Sequence, residues 1–424
     1  MPFNCITLHT NEPLNFKLAI IGGGAAGFFA GINAASLIPG LEVHIFDKAA
    51  QFLSKVKVSG GGRCNVTHAC FDPDELITFY PRGAKELLGP FYIFNPADTV
   101  DWFEQRRVNI QAEADGRMFP VTNSSQTIID CFMQEAEHNN IKLHTQTGVT
   151  SMQITTANRW HLHFINGSEF AADFVIVATG SSPQVWEILS KLNHTIIAPV
   201  PSLFTFHIKD KRIDELMGVS VPNVECKIEG EKIVTTGPLL ITHWGLSGPA
   251  ILKLSAWAAI PLAAKQYRFN LIVNFIPTLD KQSCFEQLMS HKISSPKKHI
   301  QNTPIGEISS RFLKSVTAFC GIDDKMNWSD VSKEKLQNLA SVLTESKFQV
   351  TGKSTFKDEF VTCGGIKLQE VDFRTMQSKL HPNLFFAGEV LNIDAVTGGF
   401  NFQAAWTTGY IAANGIAELV SSRM

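Results

Sequence analysis

The chain has 424 residues, 44% of them apolar and 18% charged, which excludes a disordered or fibrous protein and leaves room for two or three domains. A net charge of −2 gives no overall attraction for phosphate backbones or acidic membranes, so nucleic acid is not expected as the main partner, although a local basic patch stays open. Eight cysteines (Cys5, Cys64, Cys70, Cys131, Cys226, Cys284, Cys320 and Cys363) form no C-x-x-C pair and no zinc-finger spacing, which reads as reduced thiols in a cytoplasmic protein and argues against a dithiol reductase. No H-x-H, H-E-x-x-H or carboxylate cluster suggests a metal site.

The first predicted element is a buried parallel strand, KLAII at 17–21. GGGAAG follows at once, so Gly22, Gly24 and Gly27 satisfy G-x-G-x-x-G, and Gly31 extends the series by one helical turn. AAGFFAGINAASL is predicted as a helix stopping before Pro39 and Gly40; LEVHIF is a second strand, ending at Asp47 and Lys48. Leu18–Ile38 is the most apolar stretch near the N-terminus, but its glycine cluster suits a turn better than an export helix, and only Lys17 precedes it as a base. With no other apolar run of about 20 residues, no membrane span is expected.

Each residue type here has a physical task. Gly22 permits a tight turn out of the strand, Gly24 lets backbone N–H groups approach a diphosphate, and Gly27 lets the helix pack on the sheet. The helix N-terminus, at Ala25 and Ala26, offers unpaired amides and partial positive charge. Asp47 can accept hydrogen bonds from ribose hydroxyls. The unit fits a dinucleotide but does not by itself separate FAD from NAD(P).

Three later segments select FAD. Ser59-Gly60-Gly61-Gly62-Arg63-Cys64-Asn65 can form a concave nest of amides for an anion, with Arg63 adding a charge-assisted contact. ADFVIVATGSSP (172–183) contains a buried strand and a tight exit at Ala178-Thr179-Gly180. LFFAGEVLNIDAVTGGFNFQ (384–403) is a strand ending at Gly388, followed by Glu389 and Asp394 as carboxylates for ribityl hydroxyls, and then by Gly398-Gly399 with a helix beginning near Phe400 and Asn401. The start of that helix suits the flavin edge on which negative charge develops. KLHTQTGVTSMQI (142–154) reads as one strand of the same domain.

The stretches IIGGGAAG (20–27), SGGGRCN (59–65), GRMFP (116–120), ATGS (178–181), THWGLSGPAIL (242–252), VTCGGI (361–366), TMQSKL (375–380) and FFAGEVLNIDAVTGGFNFQ (385–403) span nearly the whole chain. Their order resembles the bacterial NAD(P)/FAD-dependent oxidoreductases known as aminoacetone-oxidase-family or bile-acid-reductase-like flavoproteins. Asn392 and Ala395 stand where members commonly have Asp and Gly, and residues 1–16 form an extra leader. The resemblance implies an α/β fold: a discontinuous Rossmann-like FAD domain at 1–195 and 355–424, an inserted β-barrel-like domain at 196–280 and 340–354, and a small helical subdomain at 281–339. It also implies that Val149 offers its backbone to the adenine, where an ordinary strand residue is an equal reading. Segments 203–208, 219–228, 232–241 and 267–276 read independently as strands, and DKQSCFEQLMSHK and KEKLQNLASVL as helices.

The inserted domain is expected to cover the flavin ring. In THWGLSGPAIL, Ser247 is a plausible N-cap and Pro249 suits the first helical turn. His243 is the candidate for proton transfer, a structural hydrogen-bonding role being the other reading. Cys64 reads as packed rather than reactive, and Arg117 either binds an anion or stabilises a turn. A second G-x-G-x-x-G followed by an acid is absent, so NAD(P)H is expected only as a transient reductant. The leading expectation is an FAD-dependent oxidoreductase, NAD(P)H-linked, passing a hydride through flavin N5 to or from a small organic substrate. An oxygen-using amine oxidase and a flavin-dependent RNA-modifying protein are the alternatives; oligomeric state is open.

Overall fold

The computed structural model describes residues 16–354 and 361–423, so Cys5 and all of the expected leader but Phe16 lie outside the described residues. The chain divides into two compact units. The first holds the residues up to Ala198, Gly364–Ile393 and those from Gly398 onward; the second holds Pro199–Cys363 and Asp394–Thr397.

In the first unit, five apolar segments form parallel strands: β1 (Lys17–Ile21), β2 (Glu42–Phe46), β3 (Lys142–His144), β4 (Phe174–Val177) and β5 (Leu384–Phe386). Their order is β5-β4-β1-β2-β3, with Ile21 opposite Phe46 on one side and Val177 on the other. The sheet therefore reverses direction of growth at β1, and a ligand crevice is expected beyond the carboxyl ends of the strands at that point. Gln377–Ser378 and Val371–Asp372 extend the β5 edge as antiparallel strands. The stretch 142–154 is not one strand, as its sequence suggested. It breaks at a turn after His144, and Val149–Ile154 pairs instead with Trp160–Phe164 in a separate three-stranded antiparallel sheet.

Helix α1 (Ala25–Leu37) is buried on nearly every face from Ala26 to Ala34. Its small residues allow close packing. At Gly409 of the C-terminal helix (Phe400–Arg423), a β-carbon would stand 3.0 Å from the Ala26 carbonyl oxygen. Phe29 then packs on Trp102 and Trp406, with ring centroids 4.6 and 5.3 Å away. The first and last helices of the unit are thus fixed to each other by a glycine contact and an aromatic cluster.

The second unit is a seven-stranded antiparallel sheet in the order Ser346–Val350, Phe269–Asn274, Ser220–Ile228, Val234–Thr242, Gly245–Ser247, Phe206–His207, Gly352–Lys353. The four strands expected from the sequence are all present. The two edge strands are separated in the chain by Thr351 alone, so the sheet must roll until its edges meet, which makes it barrel-like. Helices Lys281–Ser294, Ser310–Phe319 and Lys333–Thr344 occupy the segment expected to be a separate helical subdomain. They do not stand apart: Leu288, Phe312, Val316, Trp328 and Leu339 belong to the same apolar core as Phe206, Val224, Leu271 and Phe348. An amphipathic helix buries its stripe where apolar surface is offered, and here the barrel offers it.

Glu42 opens β2 among three cationic or basic groups, Lys142, Lys17 and His44, the last with its Nε2 2.9 Å from the carboxylate. Hydrogen bonds from Lys142 and His44 hold its carboxyl well below the usual range, to about 2. This stabilisation is complete above the unfolded carboxyl value of about 4.3 and is lost as pH falls toward about 2. We expect Glu42→Gln to cost of the order of 1 kcal/mol at pH 7 in denaturant unfolding, with the gap from wild type narrowing at pH 3 and below. A gap of constant size would contradict the assignment.

Candidate functional site

The three glycines of the first loop take three different structural roles. Gly22 has φ +112°, and a β-carbon there would meet the Ala178 carbonyl oxygen at 2.5 Å. The turn out of β1 is therefore pressed against the end of β4, where Ala178, Thr179 and Gly180 (φ +61°) turn away. At Gly27 a β-carbon would stand 2.0 Å from the Gly22 carbonyl oxygen, so only glycine lets α1 rest on its own loop. Gly24 faces open space, with nothing within 4 Å of its would-be β-carbon, and no side chain caps the helix that begins at Ala25. The result is an uncapped helix N-terminus with bare backbone before it, which suits an anion.

Asp47 lies beside this loop. Its Oδ2 accepts from the Gly23 N–H at 2.7 Å and its Oδ1 from the Ala49 N–H at 2.7 Å. Both oxygens keep a lone pair, so the carboxylate is fixed in place and still able to accept from hydroxyl groups. Lys48 is exposed next to it.

The SGGGRCN segment is a loop. Ser59 is extended, and Gly60, Gly61 and Gly62 have φ of +56°, +68° and +85°. Gly61 and Gly62 face open space, while Gly60 packs near the Asn65 backbone. Arg63 is not free to reach a phosphate: its Nη1 lies 2.6 Å from Glu113, and its guanidinium stacks over Phe119 at 4.0 Å. Glu113 also takes Arg117, whose Nε pairs with Asp115 at 2.7 Å, so Arg117 stabilises the turn at Gly116. Glu113 was not identified from the sequence; it belongs to no motif. Cys64 is fully buried, and burial pushes its thiol up to about 12, which removes it as an acid or nucleophile near neutral pH.

The C-terminal segment reaches the same region of the first unit. Gly388 packs against Ala26, with a would-be β-carbon 2.9 Å from the alanine methyl, and its N–H donates to Thr408 Oγ1 at 2.9 Å. Glu389 pairs with Lys55 at 2.9 Å, beside Gly180. Lys55 lies outside every sequence motif and was missed. Gly399 has φ +94° and lies tight against Thr67 and Asn65, and the helix begins at Phe400. Phe400 stacks on Phe79 at 4.2 Å and on His68 at 4.6 Å. Asn401 follows in the first turn, half-buried. Asp394 is not in this group. It is fully buried, belongs to the second unit and accepts from Ser202 Oγ at 2.8 Å. Val149 is buried, and its carbonyl accepts from Gln184 Nε2 at 3.3 Å.

An FAD fits these residues. Gly24, Gly61 and Gly62 leave a cradle that side chains would fill, and the buried Asn65 Oδ1 has no hydrogen-bond partner among the described residues. A buried amide oxygen without a donor is costly, and a ligand N–H would satisfy it.

His243 sits exposed in the turn between Val234–Thr242 and Gly245–Ser247, in the second unit. Ser247 does not cap the following helix. Gly248 does, at φ +91°, because a β-carbon there would come within 2.8 Å of the Leu240 nitrogen. Ser247 instead accepts from Thr205 Oγ1 at 2.8 Å.

A Ser378–His194–Glu370 line also occurs in the first unit, with separations of 3.0 and 3.1 Å. It is not a nucleophile site. Ser378 Oγ accepts the N–H groups of Leu380 and His381, which occupies both lone pairs, and the residue is buried. Among the described residues no cluster of side chains could hold a metal ion, and no helix is long and apolar enough to cross a membrane.

A Rossmann-type sheet, an uncapped helix tip and a returning C-terminal helix define the class: an FAD-dependent oxidoreductase. Residues 16–415 match the family described as HI0933-like protein Rossmann domain, and the chain belongs to that family. It is similar to the ribosomal RNA dihydrouridine synthase of Escherichia coli (strain K12), 27% identical over 419 residues, covering 96% of this chain and 99% of the relative. It is also similar to the 3-dehydro-bile acid delta(4,6)-reductase of Clostridium scindens, 23% identical over 412 residues, covering 95% and 99%. The structure of 3-ketosteroid delta1-dehydrogenase from Sterolibacterium denitrificans in complex with 1,4-androstadiene-3,17-dione overlays with a TM-score of 0.50 at 12% identity, covering 95% of this chain and 99% of that one, a likeness of fold.

Substitution at the two loop glycines separates fold from ligand. Gly24→Val should leave the melting temperature of the flavin-free protein unchanged, because the site is open, and lower the flavin retained on purification at least tenfold. Gly27→Val should destabilise the flavin-free protein itself, by about 1–3 kcal/mol of overpacking, and so lower its melting temperature. Equal behaviour of the two variants in calorimetry and flavin absorbance would contradict the roles given.

Proposed function

We propose that this enzyme reduces a carbon–carbon double bond conjugated to a carbonyl group, with NAD(P)H as transient reductant, and that its substrate is a uridine in RNA. The observation that carries the reading is a shared chemistry among full-length relatives with different names. A dihydrouridine synthase saturates the C5–C6 bond of uridine, which is conjugated to the C4 carbonyl. A reductase acting on delta(4,6) of a 3-dehydro bile acid saturates a bond conjugated to the 3-oxo group. One reaction class covers both.

RNA is preferred for two reasons. A second ribosomal RNA dihydrouridine synthase, from Haemophilus influenzae, is 26% identical over 412 residues. In addition, the net charge of −2 is unevenly spread: the second unit, residues 199–363 and 394–397, carries 20 Lys and Arg against 17 Asp and Glu, and the rest of the chain 17 against 22. A modestly basic second unit suits a polyanion better than the whole-chain charge suggests.

Bound FAD would supply the hydride-carrying ring. The chain's own part is to hold and orient it. The amides at the start of α1 take the diphosphate, Asp47 the ribose hydroxyls, and Asn65 a ring N–H. Saturating a conjugated bond also needs a proton at the carbon next to the carbonyl. His243 is the candidate donor; it is exposed in its turn, and imidazole is a common proton donor in catalysis.

Anaerobic mixing with NADH or NADPH should bleach the flavin band near ~450 nm. A uridine-containing rRNA fragment should then restore the colour, faster than a 3-oxo-4,6-diene steroid does. No bleaching by either nucleotide would overturn the NAD(P)H linkage, and recovery with the steroid alone would overturn the RNA substrate. His243→Gln should slow the recovery step about 100-fold; an unchanged rate would remove His243 as donor.

A further inference from the structure

The tip of α1 is flanked on both sides by the anchors of one ion pair. On one side, the segment before Lys55 lies on Gly23. The Leu53 N–H donates to the Gly23 carbonyl at 2.9 Å, and a β-carbon at Gly23 would stand 2.1 Å from the Phe52 ring. On the other side, Glu389 follows Gly388, the residue that touches the Ala26 methyl. Between Gly23 and Ala26 lie Gly24 and Ala25, the bare backbone and the uncapped helix start. Lys55 Nζ meets Glu389 Oε2 at 2.9 Å, so a bridge joins the two flanks of that tip. It passes Gly180, whose would-be β-carbon stands 3.6 Å from Glu389 Oε2 and 3.7 Å from Lys55 Nζ.

The backbone at both ends of the bridge is fixed. Glu389 stands in the turn Gly388–Val390, where the Gly388 N–H donates to Thr408 Oγ1 at 2.9 Å and the Val390 carbonyl accepts from Trp186 Nε1 at 3.0 Å. Just past Lys55, the Lys57 carbonyl accepts from Ser125 Oγ at 2.8 Å. The side chains, by contrast, are free to part. Lys55 is 62% exposed and ends a flexible aliphatic stem, and an ion pair this exposed adds little to the stability of a fold. The bridge is therefore weak enough to open while its two footings stay in place. It is also balanced in charge. A lone carboxylate beside the helix tip would repel an arriving diphosphate, and the lysine ammonium cancels it.

We propose that the Lys55–Glu389 pair is a strap across the tip of α1 that must open for FAD to enter or leave, which makes both of them positioning residues for the cofactor's diphosphate. The inference rests on the placement of the diphosphate at α1 given in the previous section, and adds what retains it there. Helix-tip amides hold an anion from one side only. A contact joining the segments on either flank restricts the other side, as a small lid does.

The test is FAD exchange measured by stopped flow. Uptake is read as the change in flavin fluorescence on mixing FAD with flavin-free protein, and release as the reverse change on diluting the FAD-loaded enzyme. Lys55→Met combined with Glu389→Gln removes the pair at constant net charge, and uptake and release should both quicken, by about fivefold, the size an exposed ion pair carries. Lys55→Arg keeps the pair and should leave both rates within about twofold of wild type. Melting temperatures of the flavin-free variants identify those that are folded. Faster release with unchanged or slower uptake in the double variant would make the two residues ordinary ligands; the strap would be wrong and the FAD site would stand. Unchanged rates in the double variant, or an arginine variant that behaves like it, would also overturn the strap. If Gly24→Val takes up and retains FAD as wild type does, the placement of the diphosphate falls, and the strap with it.

Discussion

The carbonyl oxygen of Gly22 occupies the place where a side chain at residue 27 would begin, 2.0 Å from that β-carbon position. This single close approach seats α1 on the end of β1 and sets the direction in which its unpaired amides point. The C-terminal segment then takes its position from α1, through Gly388 against the Ala26 methyl and Gly409 against the Ala26 carbonyl. Three glycine contacts therefore decide where α1 and the C-terminal segment meet. Aromatic packing by Phe29, Trp102 and Trp406 consolidates the arrangement but does not set its register.

Electrostatics in the site are arranged by subtraction as much as by supply. Arg63, the side chain best suited to a phosphate, is engaged by Glu113, and Cys64 is held as a neutral thiol by burial. What remains open is backbone: the tip of α1 and the glycines at 61 and 62. Backbone amides pre-positioned in this way carry no mobile charge and need no reorganisation when an anion arrives. Asn65 Oδ1 has no hydrogen-bond partner among the described residues, and an amide oxygen suits a neutral N–H of a ring edge better than a phosphate.

Much of this was legible from sequence because glycine spacing and strand periodicity are local properties. β1, α1, β2 and the four barrel strands appear where apolar runs and turn residues place them. What was illegible depended on distance. The Glu113–Arg63 pair joins residues 50 apart and the Lys55–Glu389 pair residues 334 apart, and no motif marks either acid or base for its partner. Asp394 sits in a motif with Glu389, yet the chain turns it into another core against Ser202. The cap at Gly248 was misread as Ser247 because side-chain chemistry favours serine there, whereas the space between strands admits only a residue without a β-carbon. The helical segment looked like a subdomain because its charge pattern marks helices and says nothing about which surface covers them.

The single residue between Ser346–Val350 and Gly352–Lys353 has a consequence for how the protein is made. The barrel cannot close until the ribosome has passed Lys353, since one short stretch seals both of its edges. The Rossmann sheet waits longer still, for Leu384–Phe386 and the helix that ends at Arg423. Neither unit is a finished object during most of synthesis, and each must join contacts far apart in the chain, which slows folding. Unpaired strand edges are exposed in the interval, and they are the surfaces on which a nascent chain aggregates or a chaperone takes hold.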